Sequence, residues 1–170
     1  MAEIRKQPVG MIVYSFAWRR NGDSPCNIKL AKAAKRIACN HDGPVVIHAQ
    51  RTVAKLLREM GVECHETEKR SGYEGSEEPT RQATALFRIK GITEVIPVAN
   101  PFLHLLKCFQ LVRKEGFKTP SYWDLDGMIG WIGFDKLSEQ PSTRGPLMLV
   151  YYTVRQILFD YRPPVEQSEP

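Results

Sequence analysis

The feature that most constrains this chain is an order of elements. Short apolar runs rich in β-formers alternate with amphipathic helical patterns. Residues 10–15 (GMIVYS), 44–48 (PVVIH), 62–66 (VECHE), 93–98 (TEVIPV) and 118–122 (KTPSY) read as five strands. After the first, Ser24 and Pro25 read as an N-cap and a first-turn proline. Leu30, Ala33, Ala34 and Ile37 then recur at helical spacing to about residue 39. Val53, Leu56, Leu57 and Met60 mark a second helix closed by Gly61, and a third spans about 80–90 before Gly91. Pro101 opens a fourth, which ends at Gly116. The polar, aperiodic residues 67–79 read as a loop, with Glu74, Glu77 and Glu78 solvating or capping it.

Strands that alternate with helices call for a parallel sheet covered on both faces. The expected fold is α/β: a three-layer αβα sandwich, Rossmann-like, with a mainly parallel five-stranded sheet and an extra C-terminal helix. If the strand order is 3-2-1-4-5, the crevice lies between the loops after strands one and four. Pro120 cannot donate to a ladder, so strand five belongs at an edge. Residues 124–138 read as an irregular helical segment. Residues 146–162 read as a packed terminal helix with Val150, Val154, Ile157, Leu158 and Tyr161 on one side. At 170 residues the chain suits one domain, 1–170, with a core of about 10–162.

Composition narrows the class of partner. The net charge of +5 is compatible with an anionic ligand, but no dense basic stripe or nucleic-acid motif accompanies it. Nucleic acid is therefore not an expected partner. Lys29, Lys32, Lys35 and Arg36 lie on one helix and read as a solvated face. Cys26, Cys39, Cys64 and Cys108 form no C-x-x-C pair, and Cys39/His41 and Cys64/His65 lack zinc-ligand spacing, so no metal is expected. No run approaches the ~18 apolar residues of a membrane span. The first residues show no apolar signal core, and a cytoplasmic protein with reduced thiols is expected.

A ligand site in such a fold lies at the carboxyl ends of the strands, where strand order reverses. The loop after strand one carries Trp18, Arg19 and Arg20: arginines for phosphate or carboxylate, and an indole for stacking. His48, Gln50 and Arg51 follow strand two as a wall, and Asn100 follows strand four. At about 100° per residue, Phe102, Leu105, Phe109 and Val112 form one stripe of helix four. His104, Lys107, Cys108 and Leu111 form another. His104 is thus off the centre of the core face, and is either a proton carrier and anion donor or a partly buried imidazole bonded to a carbonyl. Each of the other candidates has an equally plain alternative, an exposed turn or a helix start. Asp124 and Asp126 could reach a cation only weakly. No G-x-G-x-x-G, Walker or G-x-S-x-G motif is present.

The whole pattern resembles the YdcF/SanA-like family, a bacterial group with a Rossmann-like fold. His104-Leu105-Leu106-Lys107 resembles its H-x-x-R element with lysine for arginine, and Arg113-Lys114-Glu115-Gly116-Phe117 its helix end. Glu68-Lys69-Arg70-Ser71 is similar to its E-x-x-S, and Thr80-Arg81-Gln82-Ala83 to its T-x-E-N. Lys29-Leu30 with Ala33 is similar to its R-L-x-x-A, and Leu149-Val150-Tyr151-Tyr152 to its closing helix. Where the family has glycines after strands one and two, this chain has Phe16-Ala17-Trp18 and His48-Ala49-Gln50. The family's membrane-linked members carry an N-terminal anchor, which this sequence does not show.

The resemblance implies a small anionic or nucleotide-like ligand, S-adenosylmethionine or another nucleotide among them. Arg19, Arg20, His104 and Lys107 would supply charge and donors, and Thr80 and Gln82 polar contacts. His104 is the candidate catalytic acid or base, with no nucleophile and no reaction assigned. The competing expectation is a non-catalytic member that acts through a homo-oligomer or a protein partner, using the terminal helix or the segment with Trp123 and Trp131.

Overall fold

The computed structural model describes residues 7–68, 75–101 and 103–159, without the side chains of 155–159. Ser71, Glu74, Phe102 and Tyr161 lie outside the described residues, as do the side chains of Ile157 and Leu158. The elements run β1 (Val9–Val13), α1 (Pro25–Asn40), β2 (Val45–Ala49), α2 (Arg51–Glu59), β3 (His65–Glu66) and α3 (Glu77–Ile89). There follow β4 (Val95–Val98), α4 (Leu103–Lys114), α5 (Tyr122–Ile129), a 3-10 turn (Pro141–Thr143) and α6 (Pro146–Phe159). The four strands form one parallel sheet in the order β3-β2-β1-β4. Gly61, Gly91 and Gly116 follow α2, α3 and α4 with φ of +75°, +66° and +87°, the left-handed turn that ends a helix with least strain at glycine.

Strand periodicity assigns the two faces of the sheet. Gly10 lies against the ring of Phe87 on α3, so close that an added Cβ would stand 2.7 Å from it. Two pairs of residues along β1, Tyr14 turns to the same side and bonds Thr80 of α3. His48 stands beside Ile12 in register and shares this face. On it α3 packs against α4, while α1 packs with α2 and α5. β1 and β4 are buried throughout, as a strand covered on both faces must be. Met11, Ile12, Val13, Leu30, Leu57, Phe87, Val95 and Leu105 form the centre of the core, each fully buried.

The fifth strand is reduced to one bridge, Glu94 to Lys118. Lys118 N donates to Thr93 O at 3.0 Å and Val95 N to Lys118 O at 2.8 Å. The next two bonds of a parallel ladder would need N–H donors at positions 120 and 97. Both are prolines, so pairing stops and the chain turns into α5. The third strand is also shorter than 62–66, and α3 starts before position 80.

Two further expectations are corrected. On the face of the terminal helix read as packed, the described side chains Val150 and Val154 point outward, 45% and 46% exposed, and Leu149 is the buried one among the described side chains of α6. The basic residues of α1 are not simply solvated. Lys35 Nζ donates to Met60 O at 2.7 Å, and Arg36 to Met128 O at 2.7 Å, so they cap the ends of α2 and α5. No helix among the described residues is long and apolar enough to cross a membrane.

Candidate functional site

The carboxyl ends of β1 and β4, where strand order reverses, are occupied by the chain itself. Residues 130–145 form a strap that crosses them. Asn100 Nδ2, just after β4, donates to Gly133 O at 2.6 Å. Cys26 Sγ lies 3.6 Å from the same oxygen, and Lys29 Nζ donates to Ile132 O. Trp18 N donates to Ser138 Oγ at 3.2 Å and Glu139 N to Trp18 O at 2.8 Å. Trp18 therefore serves the strap through its backbone.

The two arginines after β1 are paired. Arg19 grips Asp135 through Nε at 2.8 Å and a second nitrogen at 2.5 Å. The Asp135 side chain is 1% exposed, against 24% for Arg19, and the pair lies just under the surface. Ser24 Oγ donates to the same carboxylate at 2.7 Å, and Leu137 N at 3.1 Å. The hydrogen bond and charge of Arg19 hold Asp135 below the usual carboxylate range. Arg20 is exposed beside Glu139 at 3.6 Å. Lys107 pairs with Glu77 at 2.8 Å. The free cationic crevice read from sequence thus carries its own counter-ions.

On the α3/α4 face a second group assembles. The Thr80 hydroxyl donates to Ser76 O at 2.6 Å, so Tyr14 donates to Thr80 at 2.8 Å. Burial keeps the Tyr14 phenol protonated, its pKa raised well above the ordinary value. Ser76 Oγ stands 3.3 Å from His104 Nε2. The His104 ring lies 5.5 Å from the centroid of Phe16 and 6.1 Å from that of Tyr14. Phe134 of the strap packs on Phe16 at 5.8 Å. The residue as a whole is half-buried, yet His104 Nδ1 is sealed from solvent and has no hydrogen-bond partner. His48 Nδ1 is the other such atom among the described residues.

Both imidazoles are neutral at ordinary pH. Burial, then the charge of Lys107, lowers His104 to about 4, against an opposing pull from Glu77. Burial, then His65, lowers His48 to about 4. His104 is therefore not a cationic anion donor. With Ser76 donating to Nε2, Nδ1 carries a proton that has no acceptor. In the other tautomer Nδ1 is an acceptor with no donor. Cys108, one turn on, is fully buried and pushed up to about 12 by burial, so it is neither the outward-facing residue its stripe implied nor a thiolate. Cys26 is raised as well, chiefly by burial.

The remaining candidates divide. Gln50 precedes α2 without capping it. Its Oε1 accepts from Ser15 N at 2.7 Å and Ser15 Oγ at 3.0 Å, tying the ends of β1 and β2 together. Gln82 holds the segment after β3 through Glu68 N and O. Arg51 is half-exposed, 3.8 Å from Glu66, and with Glu66, Thr67 and Glu68 lines an open cavity of about 310 Å³ at the carboxyl ends of β2 and β3. Asp124 is the side chain that accepts from Ser121 at the start of α5. No group of three or more His, Cys, Asp or Glu with metal-binding geometry occurs among the described residues. Thr80 and His104 thus share one network, with Tyr14, Ser76 and Phe16, which sequence reasoning missed. Only the position of Tyr14 at the end of an apolar run hinted at it. No protein-family model, no curated protein and no solved structure matches the chain.

Proposed function

We propose that the chain is a Rossmann-like, divergent protein of the YdcF/SanA-like kind that binds a small anionic or nucleotide-like ligand at the carboxyl edge of its sheet. The observation that carries this reading is the pair of buried, unpartnered Nδ1 atoms of His48 and His104 on one sheet face. A buried polar atom without a partner costs ~1–3 kcal/mol, and a ligand group that pairs with it recovers that cost. The strand order supports the placement, because β1 and β4 flank the reversal point. With Arg19, Arg20 and Lys107 paired, recognition rests on neutral donors and acceptors: His104, His48 and the Ser76 and Thr80 hydroxyls. Arg51, itself 3.8 Å from Glu66 at the rim of the open cavity, would meet a ligand's charge in competition with that carboxylate. If a reaction follows, neutral His104 is the group that could take a proton.

Thermal-shift titrations with S-adenosylmethionine, adenine and guanine nucleotides, and inorganic phosphate should raise the melting temperature of the wild type. His104→Ala and His48→Ala should each abolish the rise. A wild type that no compound stabilises sinks the proposal.

A second reading has its own observation. Leu147, Val150, Tyr151 and Val154 fall at i, i+3, i+4 and i+7 of α6 and are all exposed, Leu147 at 83%. Such an apolar stripe suits a second helix, so the rival is a homo-oligomer built on α6. Sedimentation velocity across a concentration series should show a dimer that Leu147→Lys with Val154→Lys dissolves. A monomer at every concentration removes this reading.

A further inference from the structure

We propose that the strap, residues 130–145, is a lid over His104 that opens as a unit, latched by Arg19 and Asp135. This deepens the ligand-binding reading and rests on it. Phe134 covers Phe16 and Phe16 covers His104, so the strap closes the outer side of the ring stack. Left-handed glycines stand close together at one end, Gly130 (φ +73°) and Gly133 (φ +85°), and Gly145 stands at the other end.

Between its ends the strap is held chiefly by polar contacts. These are Arg19–Asp135, Asn100 to Gly133 O, Lys29 to Ile132 O, and the exchange between Trp18 and Ser138. Its large side chains Trp131 and Leu137 face solvent, 69% and 73% exposed, and so do not anchor it to the core. Its inward apolar contacts are those of Ile132, which is buried, and Phe134, which is partly buried against Phe16. Segments held by few buried apolar contacts open at lower free energy than core strands. The strap is also internally coherent. Asp135 N bonds Thr143 O, Ser138 N bonds Asp135 O, and Thr143 bonds Ser138 at 2.7 Å, so it would swing as one body.

The chain carries its own reporter, because Cys26 lies under the strap and is 1% exposed. Native-state hydrogen exchange on the wild type should show the amides of Asp135, Ser138 and Glu139 exchanging together and faster than those of Gly10 in β1 and Tyr14 just after it. In Asp135→Asn, alkylation of Cys26 and carbethoxylation of His104 should both accelerate by at least about tenfold, with β1 exchange unchanged. Neutral imidazole is the reactive form, so the His104 rate reads access.

Three outcomes overturn the lid. The first is strap amides as protected as those of β1, which the wild type decides even if the variant fails to fold. The second is acceleration of Cys26 without His104. The third is a rise in β1 exchange along with both. None of these readouts needs a ligand. Failure of the binding reading shows separately, as absence of any wild-type thermal shift while the lid measurements succeed.

Discussion

At the residue scale, burial leaves the Nδ1 atoms of His104 and His48 without hydrogen-bond partners, and the same burial makes stability depend on pH. In the unfolded chain an imidazole titrates near 6.5, whereas in the fold both hold out to about 4. The unfolded state therefore binds more protons as pH falls below about 6.5. Stability from neutral burial is complete above that pH and is lost as pH falls towards 4. Each shift corresponds to at most about 3 kcal/mol. Urea unfolding at about pH 7 and about pH 4.5 should show a loss of that order in the wild type, and a flatter profile in His48→Gln/His104→Gln. An equal pH slope in the double variant would contradict the assignment. Sequence could place His104 off the centre of the core stripe, but not make it neutral. Charge state depends first on burial, to which the distant Tyr14 and Phe16 contribute, and then on the charges of Lys107 and Glu77.

Elements were legible where local chemistry decides them. Ser24 caps α1 as its sequence implies, accepting from Cys26 N, and glycines end α2, α3 and α4. The fifth strand was not legible, because its failure needs two prolines on different segments to meet. Pro97 and Pro120 withhold the successive donors of one ladder. Replacing both with valine restores the donors. Hydrogen exchange should then find new slowly exchanging amides at 97 and 120, beside those of Val95 and Lys118. Fast exchange at both positions would show that something other than the missing donors ends the strand. Likewise α6 has a strongly apolar side, but which side faces the body depends on where the strap runs. Leu149 is inward, and the side with Val150 and Val154 is outward.

At the scale of the whole molecule, the strap joins residue 19 to residue 135 and brings the two ends of the chain's logic together. Arg19 compensates a carboxylate that is 1% exposed, so Arg19→Ala leaves Asp135 buried without its cation. Arg19→Ala should lower the melting temperature more than Arg19→Ala/Asp135→Asn does. Removing the orphaned charge as well relieves the cost, which makes the two substitutions non-additive. A double variant less stable than either single one would mean the pair contributes through packing and not charge. The sequence by itself determined the parallel α/β plan and the helix boundaries set by Ser24, Gly61, Gly91 and Gly116. Those rest on periodicity and on capping, both local. Only the tertiary structure decided that Arg19, Arg20 and Lys107 are already paired, that the crevice between β1 and β4 is covered, and that the Nδ1 atoms of two imidazoles lie buried without partners. Charge pairing and desolvation depend on which distant segments come to rest together, and no spacing along the chain encodes that directly.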